Sequence, residues 1–366
     1  MSLQIQHLGG QWLASFEGEQ KGFGLLSFNT FGVSQGYVSL HQFEDLDRNT
    51  SAIFLQGRTV DVRVSATDLK ITARGTNRTT PGLVTIAGHR AADGDTDKWE
   101  GDWESTDNFR GTFSMVRASS QRLDDNTVDK IDSWQEFSEW AFKQPTENAV
   151  YRGLGSSLYP LESTAHRAGI FNLDHYLVEM LPRVRAELLK RHGLRINLGS
   201  PDGLAEMLAL IRHHGFPSPI MDWSKSPWVA LYFAITSSMT VGVKSMEPRY
   251  CRVYCLHHSG ISVVADVQQT LLAPSIAGRL IEIPTPMTSR VTAQEGVFLL
   301  TPCVDVLTPL TCEQRQSEKV LICAIDVDVK IIAEAHRRLE QMMINEATML
   351  SSIDSTLSHL KSKLVC

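Results

Sequence analysis

Up to about residue 118 the chain alternates between apolar and polar positions. Val60, Val62 and Val64 stand between Asp61 and Arg63, the period of two that a half-buried strand requires. Similar short runs recur at 22–29, 35–42, 51–56, 68–73, 83–88, 97–104 and 110–116, and Trp12 falls near the first strand. Gly57, Gly75-Thr76-Asn77, Pro81-Gly82 and Asp93-Gly94-Asp95 supply turn chemistry between the runs. Short strands at this spacing predict an antiparallel barrel or sandwich over 1–118. Trp99, Gly101 and Trp103 share one face of their strand. A small barrel of this kind either holds a ligand or is filled by its own side chains.

The pattern then changes. A polar stretch from Ala118 to Asn126 predicts a linker over 119–131. A helix follows at 133–143, with Ser133 and Glu136 at capping-box spacing and Trp134, Phe137, Trp140 and Ala141 on one face. A short strand reads Val150-Tyr151-Arg152-Gly153. A long amphipathic helix is expected over 173–192, facing inward through Leu173, Leu177, Met180, Leu181, Val184 and Leu188 and kinked or split by Pro182. Ser200-Pro201 and Ser226-Pro227 start two more helices. The second, Trp228 to Ile235, has so little polar surface that it must be buried. Strands near 250–256, 278–283, 296–301 and 319–325 and helices near 329–342 and 346–363 complete an α+β second domain over 132–366.

Composition narrows the function classes. Of 366 residues, 42% are hydrophobic and 21% charged, ordinary values for a globular chain. The net charge of −6 is shared evenly between the parts before and after residue 120. That balance weighs against nucleic acid as a partner, since phosphate-binding proteins carry a basic excess. A basic patch from Arg183 to Arg195 is the exception, and interspersed Glu179 and Glu187 favour an ordinary solvated helix face there. Six cysteines without a staple framework suggest a reducing compartment. Met1 to Leu13 lacks the basic-then-apolar order of a signal peptide, and the longest apolar run is half a membrane span. A cytoplasmic protein without a membrane partner is expected.

Cys251 and Cys255 face one side of their strand and read as core. His213 and His214 close a helix without a second ligand pair nearby, so no metal site is expected. Walker and nucleophile-elbow motifs are absent from the sequence.

Three segments of the second domain resemble the FRG family, named for its Phe/Tyr-Arg-Gly start. They are Tyr151-Arg152-Gly153, the stretch from His213 through Asp222-Trp223-Ser224-Lys225-Ser226-Pro227 to Ala234, and Arg290-Val291-Thr292-Ala293-Gln294-Glu295-Gly296-Val297-Phe298. Ile344 to Leu350 looks like the family's ending. The resemblance covers about 131–363, while 1–118 is only loosely similar to a calycin-type barrel. Two departures stand out. Arg212 occupies a position where the family usually has Gln, and Ser218-Pro219 replaces the family's Thr-Arg. If that arginine binds an anion, another group must do so here.

The family's members are bacterial and phage proteins, some in defence settings, and the resemblance fixes no single activity. The order of Arg, hydroxyl segment and Gln/Glu resembles the layout of R-S-E ADP-ribosyltransferases. Such enzymes break a glycosidic bond through an oxocarbenium-like state that a nearby carboxylate or amide stabilises, while arginine forks the diphosphate. On that reading Tyr151 and Arg152 hold the nucleotide, Asp222 or Ser224 orients the ribose or neighbouring strands, Arg290 is a second anion contact, and Gln294 or Glu295 sits at the reacting ribose. As neighbours on an expected strand, Gln294 and Glu295 would face opposite sides, and only the carboxylate could act as a base. No resident cofactor is implied. NAD enters as substrate, and a protein target would be met through the N-terminal domain. The competing reading is a non-catalytic ligand-binding or sensor protein, with Arg152 paired to Asp222 for structure and Asp222 capping a turn.

Overall fold

The computed structural model describes residues 8–30, 35–45, 50–75, 82–91, 97–145, 147–241, 250–257, 267–272, 278–281, 294–317, 320–350 and 357. Eight strands form the N-terminal unit: β1 Gly10–Gly18, β2 Gly22–Phe28, β3 Tyr37–Asp45, β4 Thr50–Val64, β5 Asp68–Gly75, β6 Leu83–Arg90, β7 Lys98–Ser105 and β8 Arg110–Ala118. Each pairs antiparallel with the next, and β1 pairs with β8 to close an up-and-down barrel. Alternate side chains fill it, led by the fully buried Trp12, Leu26, Ile71 and Trp99. The runs at 51–56 and 60–64 belong to the single strand β4. A bulge between Thr59 and Asp61 turns Val60 out to solvent while Val64 stays inside.

The second unit is a seven-stranded mixed sheet in the order β13-β14-β11-β10-β12-β15-β9. Its strands are β9 Asp129–Ile131, β10 Ala149–Leu154, β11 Ile220–Ser224, β12 Tyr250–His257, β13 Arg279–Ile281, β14 Gly296–Leu300 and β15 Ile322–Asp328. Among the described residues, only β9 and β15 pair in parallel. Helices α1 Trp134–Lys143, α2 Thr164–Arg167, α3 Leu173–His175, α4 Leu181–His192, α5 Pro201–His213, α6 Pro227–Val241, α7 Val267–Leu272, α8 Leu307–Ser317, α9 Ile332–Gln341 and α10 Glu346–Leu350 pack around it. The helix expected over 173–192 is continuous, but it runs through a π turn at Tyr176–Met180 just ahead of Pro182. The proline lacks an N–H, and the local shift to wider hydrogen bonding absorbs it. The arginines of α4 are engaged: Arg191 meets Glu187 at 2.7 Å, Arg183 meets Glu179 at 3.6 Å, and Arg185 donates to the Ile196 carbonyl.

The segment between the units is pinned. Arg252 on β12, fully buried, is bidentate to Asp326 at 2.7 and 2.9 Å and also donates to the Leu123 carbonyl and to Asp125. Residues 129–131, at the end of the expected linker, are strand β9. The barrel docks on the second unit through polar contacts. Arg58 meets Asp174 at 2.5 Å, Asn29 accepts from the backbone of Phe171 and Asn172, and Gln11 bridges to the backbone of Pro302 and Val304.

α6 positions the site. It is apolar on nearly every side, with Leu231, Ala234 and Ile235 wholly buried, and it lies on β10 and β12. Gly153 allows the approach. A Cβ there would stand 2.0 Å from the Ala230 carbonyl oxygen and 2.9 Å from Ala234 Cβ. The glycine of the Tyr-Arg-Gly motif is therefore a strand-to-helix contact point.

Candidate functional site

The sheet opens between β10 and β11. β10 pairs with β12 along Ala149–Leu154, and β11 with β14 along Ile220–Ser224. Between β10 and β11 themselves, Tyr151–Ser224 is the one registered pair. The gap beside that pair is a cavity of about 310 Å³, within the range of about 300–1,000 Å³ common for small-molecule sites. Tyr151, Arg152 and Gly153 line it from β10, Asp222, Trp223 and Ser224 from β11, and α6 forms a wall through Ala230, Phe233 and Ser237. Arg212 and His213 at the end of α5, Gln294 and Leu350 complete it.

Two arginines and one carboxylate meet here. Arg152 donates through Nη1 to the backbone carbonyl of Asp222. The Asp222 carboxylate pairs instead with Arg212, Nη2 to Oδ2 at 2.6 Å. Asp222 lies within β11, so it caps no turn, and its side chain is not the partner of Arg152. Burial lowers Arg152 to about 10, with the Asp222 carboxylate opposing that shift and the positive charges of Arg212 and Arg167 adding to it. The guanidinium stays charged at neutral pH. Arg152 Nε, Arg212 Nε and Trp223 Nε1 are buried N–H donors without a partner among the described residues. An unmet buried donor costs about 1–3 kcal/mol, more when charged. All three belong to residues that line this cavity.

The remaining expected residues divide. The Ser224 hydroxyl donates to the Gln294 carbonyl at 2.7 Å and accepts from the Ser226 amide at 3.0 Å, which fastens the end of β11 to the start of α6. The Gln294 amide donates to the Met349 carbonyl at 2.7 Å and holds α10 against the cavity. Gln294 and Glu295 are not on a strand. They form the turn ahead of β14, with Glu295 at φ 47°, exposed and outside the lining. The tight turn, rather than strand alternation, separates them. Arg290 lies outside the described residues. Arg212, which the sequence reading marks only as a departure from the resembled pattern, also lines the cavity.

A second constellation lies one strand away. Cys255 and His257 on β12 and Cys323 on β15 bring their ligand atoms within 4.8 Å of one another. Spacing along one strand could not show it, because Cys323 arrives across the sheet, opposite Cys255.

The protein is thus a closed barrel joined to an α+β unit whose central sheet opens on an arginine-lined cavity. Residues 147–241 match the family model of the FRG domain. The second unit carries that domain, and the match spans β10, α5, β11 and α6, which form most of the cavity wall. The barrel lies outside it. No curated protein matches the chain. No described helix is long and apolar enough to cross a membrane.

Proposed function

We propose that the FRG domain binds an anionic nucleotide between β10 and β11 and cleaves its N-glycosidic bond, with NAD as substrate. The observation that carries this reading is the convergence of Arg152, Arg212 and Asp222 on one cavity. Arg152 and Arg212 would grip the diphosphate, Arg212 doing the work of the arginine that the family carries at position 219. Asp222, the carboxylate among the lining residues, would stabilise the oxocarbenium-like ribose as nicotinamide leaves. An acceptor nucleophile then attacks the ribose carbon and releases its proton to solvent. The barrel would present the target or sense the trigger.

One observation favours a second reading, a non-catalytic nucleotide sensor. Ser224 and Gln294 are both committed to holding the fold, and Glu295 is exposed and not among the lining residues. Nicotinamide release from NAD by the purified protein, with and without bacterial lysate as acceptor source, separates the two. Release that Arg152→Ala and Asp222→Asn each abolish while remaining folded supports the transferase reading. NAD binding without release supports the sensor. Neither binding nor release overturns both.

A further inference from the structure

We propose that Cys255, His257 and Cys323 form a thiolate-rich divalent metal site of the zinc class on β12 and β15. Zn–S and Zn–N bonds of about 2.3 and 2.0–2.1 Å place tetrahedral sulfur and nitrogen neighbours about 3.6 Å apart. Cys255 Sγ and His257 Nε2 are 3.5 Å apart. All three ligand atoms fall within 4.8 Å of one another, so a small movement closes the set. The backbone has done most of the arranging. Cys255 and His257 are two residues apart and share one strand face, and Cys323 stands directly opposite Cys255 in the antiparallel pair.

The set has a fourth position. Gln144, just past the end of α1, directs its Oε1 to 3.7 Å from Cys255 Sγ while its amide nitrogen is held by the Trp140 carbonyl. That oxygen or a water completes the coordination. Cys255 is buried, whereas His257 and Cys323 are partly exposed, which leaves a way in for the ion. Two thiolates and an imidazole select zinc-class ions over magnesium or calcium. The site does not depend on the nucleotide reading. It is nevertheless coupled to the cavity by position: Tyr151 lies opposite Cys255 on one side and opposite Ser224 on the other. A bound ion would clamp β15 to β12 beside the strand that carries Arg152.

The 366-residue chain, purified in reductant and stripped with a chelator, is titrated with Co(II) alone and then with Zn(II). The proposal predicts one equivalent bound, with thiolate-to-cobalt charge transfer and intense tetrahedral d–d absorption, both displaced by Zn(II). Cys255→Ser/Cys323→Ser should abolish these bands, and Cys251→Ser/Cys303→Ser, at buried thiols outside the set, should keep them. His257→Ala should keep a thiolate band and weaken binding at least about tenfold. It also serves as the decisive variant if the double serine change prevents folding. Equal cobalt spectra in wild type and the His257→Ala variant would overturn the site. So would absence of a thiolate band in folded, reduced wild type.

Discussion

A single methyl group at Gly153 tests how the sheet and α6 make the cavity. Gly153→Ala would set its Cβ 2.0 Å from the Ala230 carbonyl oxygen, 2.7 Å from the Ala234 nitrogen and 2.9 Å from Ala234 Cβ. Two of these atoms are helix backbone, so no side-chain rotation relieves the clash. Strand and helix must part by about 1 Å or more. α6 resists, because its buried face also packs on α1, β12 and α9. Overpacking of a tight core costs about 1–3 kcal/mol, and a backbone contact belongs at the upper end. For a unit of this size each kcal/mol lowers Tm by about 2–4 °C, so a loss of about 6–12 °C is expected. Gly193→Ala is the control. Gly193 ends α4 at φ 70° with nothing within 4 Å of an added Cβ. It carries only the left-handed backbone penalty of about 1 kcal/mol, or about 2–4 °C. Thermal unfolding followed by circular dichroism reads both. If Gly153→Ala melts with the wild type, or falls less than Gly193→Ala, the close strand-to-helix contact is not what holds this wall in place.

Other outcomes follow from single side chains. Arg252→Ala leaves Asp326 buried without its partner and should destabilise the second unit by about 3–5 kcal/mol, with faster proteolysis near Leu123; protection equal to wild type would contradict the pinning of that segment. His166 is buried and stacks on Phe171, its two ring nitrogens find no hydrogen-bond partner among the described residues, and burial lowers it to about 3. The unfolded chain takes up this proton near pH 6.5 and the native state does not. Native stability should therefore be full above pH 6.5 and fall as pH drops toward about 3, by up to about 1.4 kcal/mol per unit. His166→Phe should flatten the change in urea midpoint between pH 7 and pH 5, and an unchanged slope would contradict it. Asp222→Asn removes the carboxylate facing Arg212 at the cost of about 1 kcal/mol or less, since that pair is partly exposed. It should tighten ADP binding by calorimetry, and weaker binding would mean that Asp222 orients the arginines rather than merely balancing them.

The barrel was legible because its strands are half-buried, and alternation is the signal such strands carry. Where the backbone bulges at Thr59–Asp61 the reading of faces failed at Val60. β11 was not legible. It is a short central strand buried on both faces, so Ile220, Met221 and Trp223 show no alternation, and Asp222 and Ser224 resemble turn residues. That omission misplaced Asp222 as a cap. The segments resembling the FRG family brought Arg152, Asp222, Ser224 and Gln294 into consideration together, and all four line one cavity. Arg212 reaches the cavity from the end of α5, and no local pattern shows that this helix end meets β11. Cys323 escaped because sheet register, which no local pattern encodes, brings it to Cys255.

The proposed anion site rests on Arg152 and Arg212. Isothermal titration of ADP into the 366-residue chain measures it. One site per chain is expected, with affinity falling at least about tenfold in each of Arg152→Ala and Arg212→Ala while circular dichroism confirms both are folded. ADP binding of wild-type strength in both variants, or no heat with the wild type at millimolar nucleotide, would contradict it.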